Sequence, residues 1–140
     1  MEAVVGSSFI GKEGEKLAIG DIEKAEVFGV YFSAHWCPPC RAFTPQLAEV
    51  YEKINASGKR FEVVFVSSDR SEGDMAAYFA EMPWVAIPFG DARIQELKTK
   101  FGVTGIPKLV ILNKSGELIT ADGRADVQSK GEGAIASWVS

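Results

Sequence analysis

Residues 27–34, Val-Phe-Gly-Val-Tyr-Phe-Ser-Ala, form an almost unbroken apolar stretch, the pattern of a strand buried on both faces. Just beyond it the period changes. Phe43, Leu47, Val50, Tyr51 and Ile54 recur at i, i+4, i+7, i+8 and i+11, which predicts one face of a helix over 38–56, with Gly58 as its left-handed cap. Residues 61–66 are a second β-branched and aromatic run of the buried type. Strand, helix and strand in that order predict a parallel pair joined by a right-handed crossover.

Elsewhere the pattern is more broken. Residues 1–6 read as a loose lead-in. Phe9-Ile10 and Leu17-Ala18-Ile19, on either side of Gly11-Lys12-Glu13-Gly14, predict a short hairpin or edge element, and Gly20-Asp21-Ile22 a brief turn or helical piece. Ser71-Glu72-Gly73-Asp74 matches the capping-box pattern for a helix with Met75, Phe79 and Met82 facing inward and Pro83 ending it. A loop through Ile87-Pro88-Phe89 leads to Asp91, the expected cap of a third helix with Ile94, Leu97 and Phe101 inside and Gly102 at its end. Residues 108–112 and 117–121 flank Asn113-Lys114-Ser115-Gly116, a hairpin turn. A glycine-broken tail follows, with a turn-like Asp122-Gly123 and a last short helix at Ala134, Ile135, Trp138 and Val139. Early alternation of strands and helices with a late hairpin predicts an α/β fold, a mixed central sheet flanked by helices on both faces.

With 140 residues, 46% of them hydrophobic and 24% charged, residues 1–140 are expected to form one domain with its own core. At this size roughly two-thirds of the extended-chain surface is buried on folding, so disulfide staples are not required. The net charge of −4 argues against nucleic acid as a partner, because phosphate binding needs a basic stripe. No apolar run reaches the ~18 residues of a membrane span. The first residues lack the basic start and apolar length of a secretory signal. The two cysteines stand three positions apart, too close to staple a fold, which suits chemistry in a reducing, cytoplasmic setting.

Those cysteines lie in Trp36-Cys37-Pro38-Pro39-Cys40-Arg41, where the buried strand turns into the long helix. Cys-x-x-Cys in that position reads as a redox pair. With Cys37 as N-cap, its sulfur meets the positive end of the helix. Pro38 and Pro39 have no N–H, so the backbone N–H of Cys40 is the donor placed to reach it. Both features favour the thiolate, which is the nucleophilic form, and Arg41 adds positive charge. The prolines also hold the turn rigid before reaction. Cys37 is then the expected nucleophile and Cys40, one turn inside, the resolving thiol. A zinc site would need about four ligands, and only His35 accompanies the two cysteines, so no metal is expected. A static disulfide would close too short a loop to gain much. His35 reads as a polar residue at a strand end, and Trp36 as a shield for the sulfur and a flat contact surface. Gly105-Ile106-Pro107 stands before the hairpin, where Pro107 reads equally as an ordinary turn proline.

Four motifs, in this order, carry a family resemblance: Ala34-His35-Trp36-Cys37-Pro38-Pro39-Cys40-Arg41, then residues 65–72, Phe-Val-Ser-Ser-Asp-Arg-Ser-Glu, then residues 82–89, Met-Pro-Trp-Val-Ala-Ile-Pro-Phe, and Gly105-Ile106-Pro107. Together they resemble the redox-active domain of the nucleoredoxins, with tryparedoxins as nearest relatives, over about residues 17–124. The resemblance implies a thioredoxin fold and protein-disulfide reduction with no cofactor beyond the Cys37–Cys40 pair. It makes Pro107 cis and packs it against the Cys37 sulfur, while the Ile106 backbone pairs with an extended substrate segment. Arg70, Glu72 and Arg124 stand as candidate rim residues, beside the competing reading of solvated surface charges. Expected partners are disulfide-containing proteins and an upstream reductant such as thioredoxin reductase, glutathione or a related dithiol. A nuclear location besides the cytoplasm goes with this family. So does an alternative function, a redox-regulated module that holds signalling proteins and releases them on oxidation. Peroxide reduction is disfavoured, since no peroxidase-type threonine stands three residues before a lone cysteine.

The chain departs from the families it resembles at three points. Tyr31 occupies the place of the buried acid that thioredoxins carry six residues before the attacking cysteine, which leaves the proton acceptor for Cys40 open. Ser68 and Arg70 replace a tryptophan and a glutamate that help tryparedoxins take electrons from a glutathione–polyamine conjugate. Animal nucleoredoxins carry further thioredoxin-like domains on either side.

Overall fold

The computed structural model describes residues 2–139. In chain order its elements are helix α1 (Glu2–Val5), strands β1 (Ser8–Ile10) and β2 (Lys16–Ala18), helix α2 (Ile19–Ile22), strand β3 (Val27–Ser33), helix α3 (Pro38–Ile54), strand β4 (Phe61–Ser67), helix α4 (Glu72–Phe79), strand β5 (Val85–Ala86), helix α5 (Ala92–Lys100), strands β6 (Lys108–Asn113) and β7 (Leu118–Thr120), helix α6 (Gly123–Lys130), a 3₁₀ turn (Gly131–Gly133) and helix α7 (Ala134–Val139). The strands make one sheet in the order β2-β1-β5-β4-β3-β6-β7.

The sheet is built around β3. It runs parallel to β4, with Val30 opposite Val64, and antiparallel to β6, with Val30 opposite Val110. All seven of its residues are buried. Because side chains alternate across a strand, β3 feeds two cores. Val27 and Tyr31 join Phe43, Leu47, Phe65, Tyr78 and Trp138 on the face covered by α3, α4, α6 and α7. Phe28, Val30 and Phe32 join Val5, Ile22, Val64 and Leu97 on the face covered by α1, α2 and α5. The mixed sheet with helices on both faces is thus present.

Helix α3 buries the expected stripe of Phe43, Leu47, Val50, Tyr51 and Ile54. It runs through Pro45, whose missing N–H and ring clash cost about 3 kcal/mol in a helix interior. The buried apolar face offsets that cost. The helix exit is organised by Asn55 and not by Gly58. The Asn55 side chain accepts from the Arg60 and Phe61 N–H groups and donates to the Phe61 carbonyl, at 2.8, 2.9 and 2.8 Å. At α4 the Ser71 hydroxyl accepts from the Asp74 N–H at 3.1 Å, and at α5 the Asp91 carboxylate accepts from the Arg93 N–H at 2.9 Å, both as the caps predict. Helix α4 ends at Phe79, ahead of Pro83.

Three elements depart from the sequence reading. Within the lead-in, Glu2–Val5 is a turn of helix with Val5 buried, while Met1 lies outside the described residues. In the stretch read as a loop, Val85–Ala86 is a strand that pairs parallel with Val64 and Phe65 and antiparallel with Ile10. Two residues are too few to show a period, yet they tie the N-terminal hairpin to the sheet. Finally, 123–130 is a helix and not a glycine-broken tail. It was hidden because only Gly123 and Val127 are buried along it. A Cβ on Gly123 would lie 2.8 Å from Ile111 Cγ1 and 3.0 Å from the Leu109 carbonyl, so this glycine permits helix-on-sheet approach and does not make a turn.

Gly29 is the analogous position inside β3, where a Cβ would meet Leu109 Cδ1 at 2.9 Å and the Phe61 ring at 3.3 Å. Gly29→Ala is expected to cost about 1–3 kcal/mol through overpacking, read as a lower denaturant midpoint. An unchanged midpoint would show that this core is looser than described.

Candidate active site

The site forms where β3 ends and α3 begins. Cys37 is the N-cap of α3, with φ −94° and ψ 111°, and Pro38 and Pro39 are its first two helical residues. The Cys40 N–H donates to the Cys37 sulfur at 3.4 Å, the contact that the two prolines leave as the nearest backbone donor. The Cys37 sulfur also lies 3.9 Å from the Ile106 carbonyl. The Ile106–Pro107 peptide bond is cis, and Ile106 packs against the small cluster of Ala34, Cys37 and Cys40. Both cysteines are free thiols. Cys37 retains a slight opening to solvent and Cys40 has none.

The loop between β3 and α3 is clamped by Asp69, a residue whose role the sequence reading missed. Its carboxylate accepts from the His35 N–H at 2.8 Å and from the Ser67 hydroxyl at 2.8 Å. The Ser68 N–H donates to the Ser33 carbonyl at 2.9 Å. Trp36 stands half exposed, held by an indole N–H bond to the Ser68 carbonyl at 3.1 Å. Arg70 lies over its ring at 5.2 Å, a cation–π contact, so this rim candidate does join the site.

The other rim candidates are placed differently. Arg41 turns into a cleft of about 540 Å³ beside α3, shared with His35, Thr44 and Tyr78. Arg124, on α6, lies over the Phe43 ring at 6.0 Å, behind α3's first turns. Glu72 lines a separate groove, with Ile10, Met75, Phe79 and Phe89, and is not brought to the dithiol.

Comparison with known proteins agrees with this geometry. A family model described as thioredoxin-like matches residues 25–118. The chain belongs to the thioredoxin-like family. It is 47% identical over 125 residues to nucleoredoxin of Bos taurus, covering 89% of this chain and 28% of that protein. Against tryparedoxin of Trypanosoma brucei brucei it is 42% identical over 134 residues, covering 94% of this chain and 91% of that one. The chain thus spans less than a third of the curated nucleoredoxins it matches. Among solved structures, a thioredoxin from Wuchereria bancrofti superposes with a TM-score of 0.83 at 41% identity, covering 97% of this chain and 96% of that one.

Within this thioredoxin-like frame, the floor of the site is a cluster of hydroxyls. Tyr31 and Thr44 are 2.7 Å apart, Thr44 and Tyr78 2.6 Å, and Ser33 and Tyr78 2.7 Å. Thr44 donates to the Cys40 carbonyl at 3.0 Å. Burial pushes both phenols up from their ordinary value, Tyr31 far more clearly than Tyr78. A signal for this cluster was present. Thr44 stands four residues after Cys40, beside Phe43 on the inward face, and Ser33 lies in the buried run. His35 stacks on Tyr78 with ring centres 5.3 Å apart.

Burial, with the hydrogen bond that the Cys40 thiol gives to the Cys37 sulfur, pushes the Cys40 thiol up from 9.0 to about 11, against the opposing Ser33 hydroxyl and Ala34 backbone. The folded chain therefore holds the Cys40 proton more tightly than the unfolded chain. That contribution to stability is complete below pH 9.0 and is lost as the pH climbs through about 11. Denaturant midpoints of the reduced protein should fall over that window, and fall less in Cys40→Ala. Equal declines in both would remove Cys40 as the cause.

Proposed function

We propose that this chain reduces protein disulfides, with Cys37 as nucleophile and Cys40 as resolving thiol. The observation that carries the reading is the Cys37 sulfur at the N-cap of α3, facing the Cys40 N–H at 3.4 Å. A helix end and an N–H donor stabilise negative charge on that atom. The Cys37 thiolate attacks a substrate disulfide, forming a mixed disulfide and releasing one substrate thiolate. Cys40 then attacks the Cys37 sulfur, which forms the Cys37–Cys40 disulfide and releases the second. The active group is this dithiol alone, with no resident cofactor.

Trp36, Pro38, Pro39 and Ile106 form the docking rim. Trp36, at 49% exposure, offers a flat apolar surface beside the reacting sulfur. The Ile106 backbone, next to cis Pro107, pairs with an extended substrate segment. Arg70 stiffens the Trp36 ring, and Arg41 lies to the side. The oxidised chain returns to the dithiol through an upstream reductant, thioredoxin reductase, glutathione or a related dithiol.

Cys37→Ser should abolish insulin-disulfide reduction with dithiothreitol as reductant, leaving only the uncatalysed rate. Turnover by that variant at the wild-type rate would end this reading.

A further inference from the structure

The turn between β4 and α4 clamps the loop ahead of Cys37 and also holds a cation at the docking rim. It is tied to that loop at three points. The Ser68 N–H donates to the Ser33 carbonyl at 2.9 Å, and the His35 N–H donates to the Asp69 carboxylate at 2.8 Å. The Trp36 indole donates to the Ser68 carbonyl at 3.1 Å. From inside the turn, the Ser67 hydroxyl donates to the Asp69 carboxylate and accepts from the Asp69 N–H, at 2.8 and 2.9 Å. Arg70 comes next, one residue before the Ser71 cap of α4. Its backbone is therefore fixed from both sides, and its guanidinium lies over the exposed Trp36 ring at 5.2 Å.

Among the described residues, no carboxylate stands within ion-pair distance of this exposed guanidinium. The acids close to it in sequence are engaged or placed elsewhere. Asp69 is buried and spent on Ser67 and the His35 N–H. Glu72 lines a separate groove, and Asp74, in the first turn of α4, makes no ion pair. Arg41 makes none either, although its cleft also holds Glu49, Glu52 and Glu81. A chain of net charge −4 thus keeps an unpaired arginine beside the reacting sulfur. A cation–π contact draws on the charge of the guanidinium and leaves its N–H donors for a second partner. Those donors match a carboxylate in a two-point pair. With the side chain already ordered on Trp36, such a pair costs less rotamer entropy than one made by a free surface arginine.

We propose that Arg70 makes the site selective for disulfides flanked by an acidic residue, pairing with that carboxylate while the substrate lies on Trp36. The preference rests on the dithiol reading above. A segment that crosses the Trp36 face to reach the Cys37 sulfur passes the guanidinium on its way. The residue read is therefore a close neighbour of the substrate cysteine. Arg70 takes no part in the sulfur exchange; it decides which disulfide is held there. The partner it fits is a protein whose reactive disulfide sits in an acidic stretch. The charge of the whole chain acts the other way, repelling acidic partners, but is screened beyond about 8 Å at physiological salt. The preference is a contact effect at the rim, and acidity far from the substrate disulfide does not supply it.

Two cyclic disulfide peptides test this, identical except that both cysteines are flanked by glutamate in one and by lysine in the other. Rate constants for their reduction by the full chain in its dithiol form are read by acid quench and chromatography. Each is divided by the same peptide's rate with dithiothreitol, which removes the peptide's own reactivity. The wild-type ratio of glutamate to lysine peptide is expected at about threefold to tenfold in low salt, the attraction and repulsion of an exposed pair combined. It should fall towards one in high salt. Arg70→Glu should reverse the ratio, and Arg70→Lys, which keeps the charge, should hold it above one. Loss of support for Trp36 alone would slow both peptides alike and leave the ratio where it was. A wild-type ratio near one, or the same ratio in Arg70→Glu, would overturn the preference. A wild-type chain that reduces neither peptide would instead overturn the dithiol reading, and the preference with it.

Discussion

One backbone hydrogen bond organises this molecule's chemistry, the 3.4 Å contact from the Cys40 N–H to the Cys37 sulfur. It exists because the chain leaves a fully buried strand and begins a helix within four residues, with a sulfur in the capping position. Ordinary N-caps use an oxygen there. The two prolines that follow supply no N–H, so the cap contact falls to Cys40. Cap and dithiol are thus the same structure. The helix holds the reacting atom in place, and the sulfur satisfies one of the helix's otherwise unpaired donors.

The surroundings divide the two cysteines by environment. Cys37 meets the Ile106 carbonyl and the exposed Trp36 rim, where a second chain has room to approach. Cys40 lies beneath it, among hydroxyls from β3, α3 and α4. Placing four hydroxyl residues under an active site is costly unless each is paired, and here each hydroxyl finds partners within the cluster. Such a network replaces a single buried charge with a chain of neutral groups. It avoids the desolvation penalty of a carboxylate at that depth.

Much of this was legible from residue order. The unbroken apolar runs located β3 and β4, and the period-3.6 stripe located α3, because each is long enough to stand out along the chain. The caps Ser71 and Asp91 marked α4 and α5 through plain side-chain chemistry. What escaped was of two kinds. Short or sparsely buried elements, Val85–Ala86 and Gly123–Lys130, carry too few apolar positions to show a period and take their form from neighbours. Long-range polar contacts, such as Asp69 to the His35 N–H and Ser33 to Tyr78, join residues 34 and 45 positions apart. Glu72 adjoins the site in sequence, but the turn into α4 carries it to another groove.

The central claim is that position at the helix start decides which sulfur attacks. The most direct measurement is to mix Cys37→Ser and Cys40→Ser proteins separately with a disulfide-containing peptide, quench rapidly with acid, and map the adduct by mass spectrometry. The account predicts fast accumulation of peptide on Cys37 in the Cys40→Ser protein and almost none on Cys40 in the Cys37→Ser protein. Comparable adducts on both cysteines, or faster capture by Cys40, would contradict it.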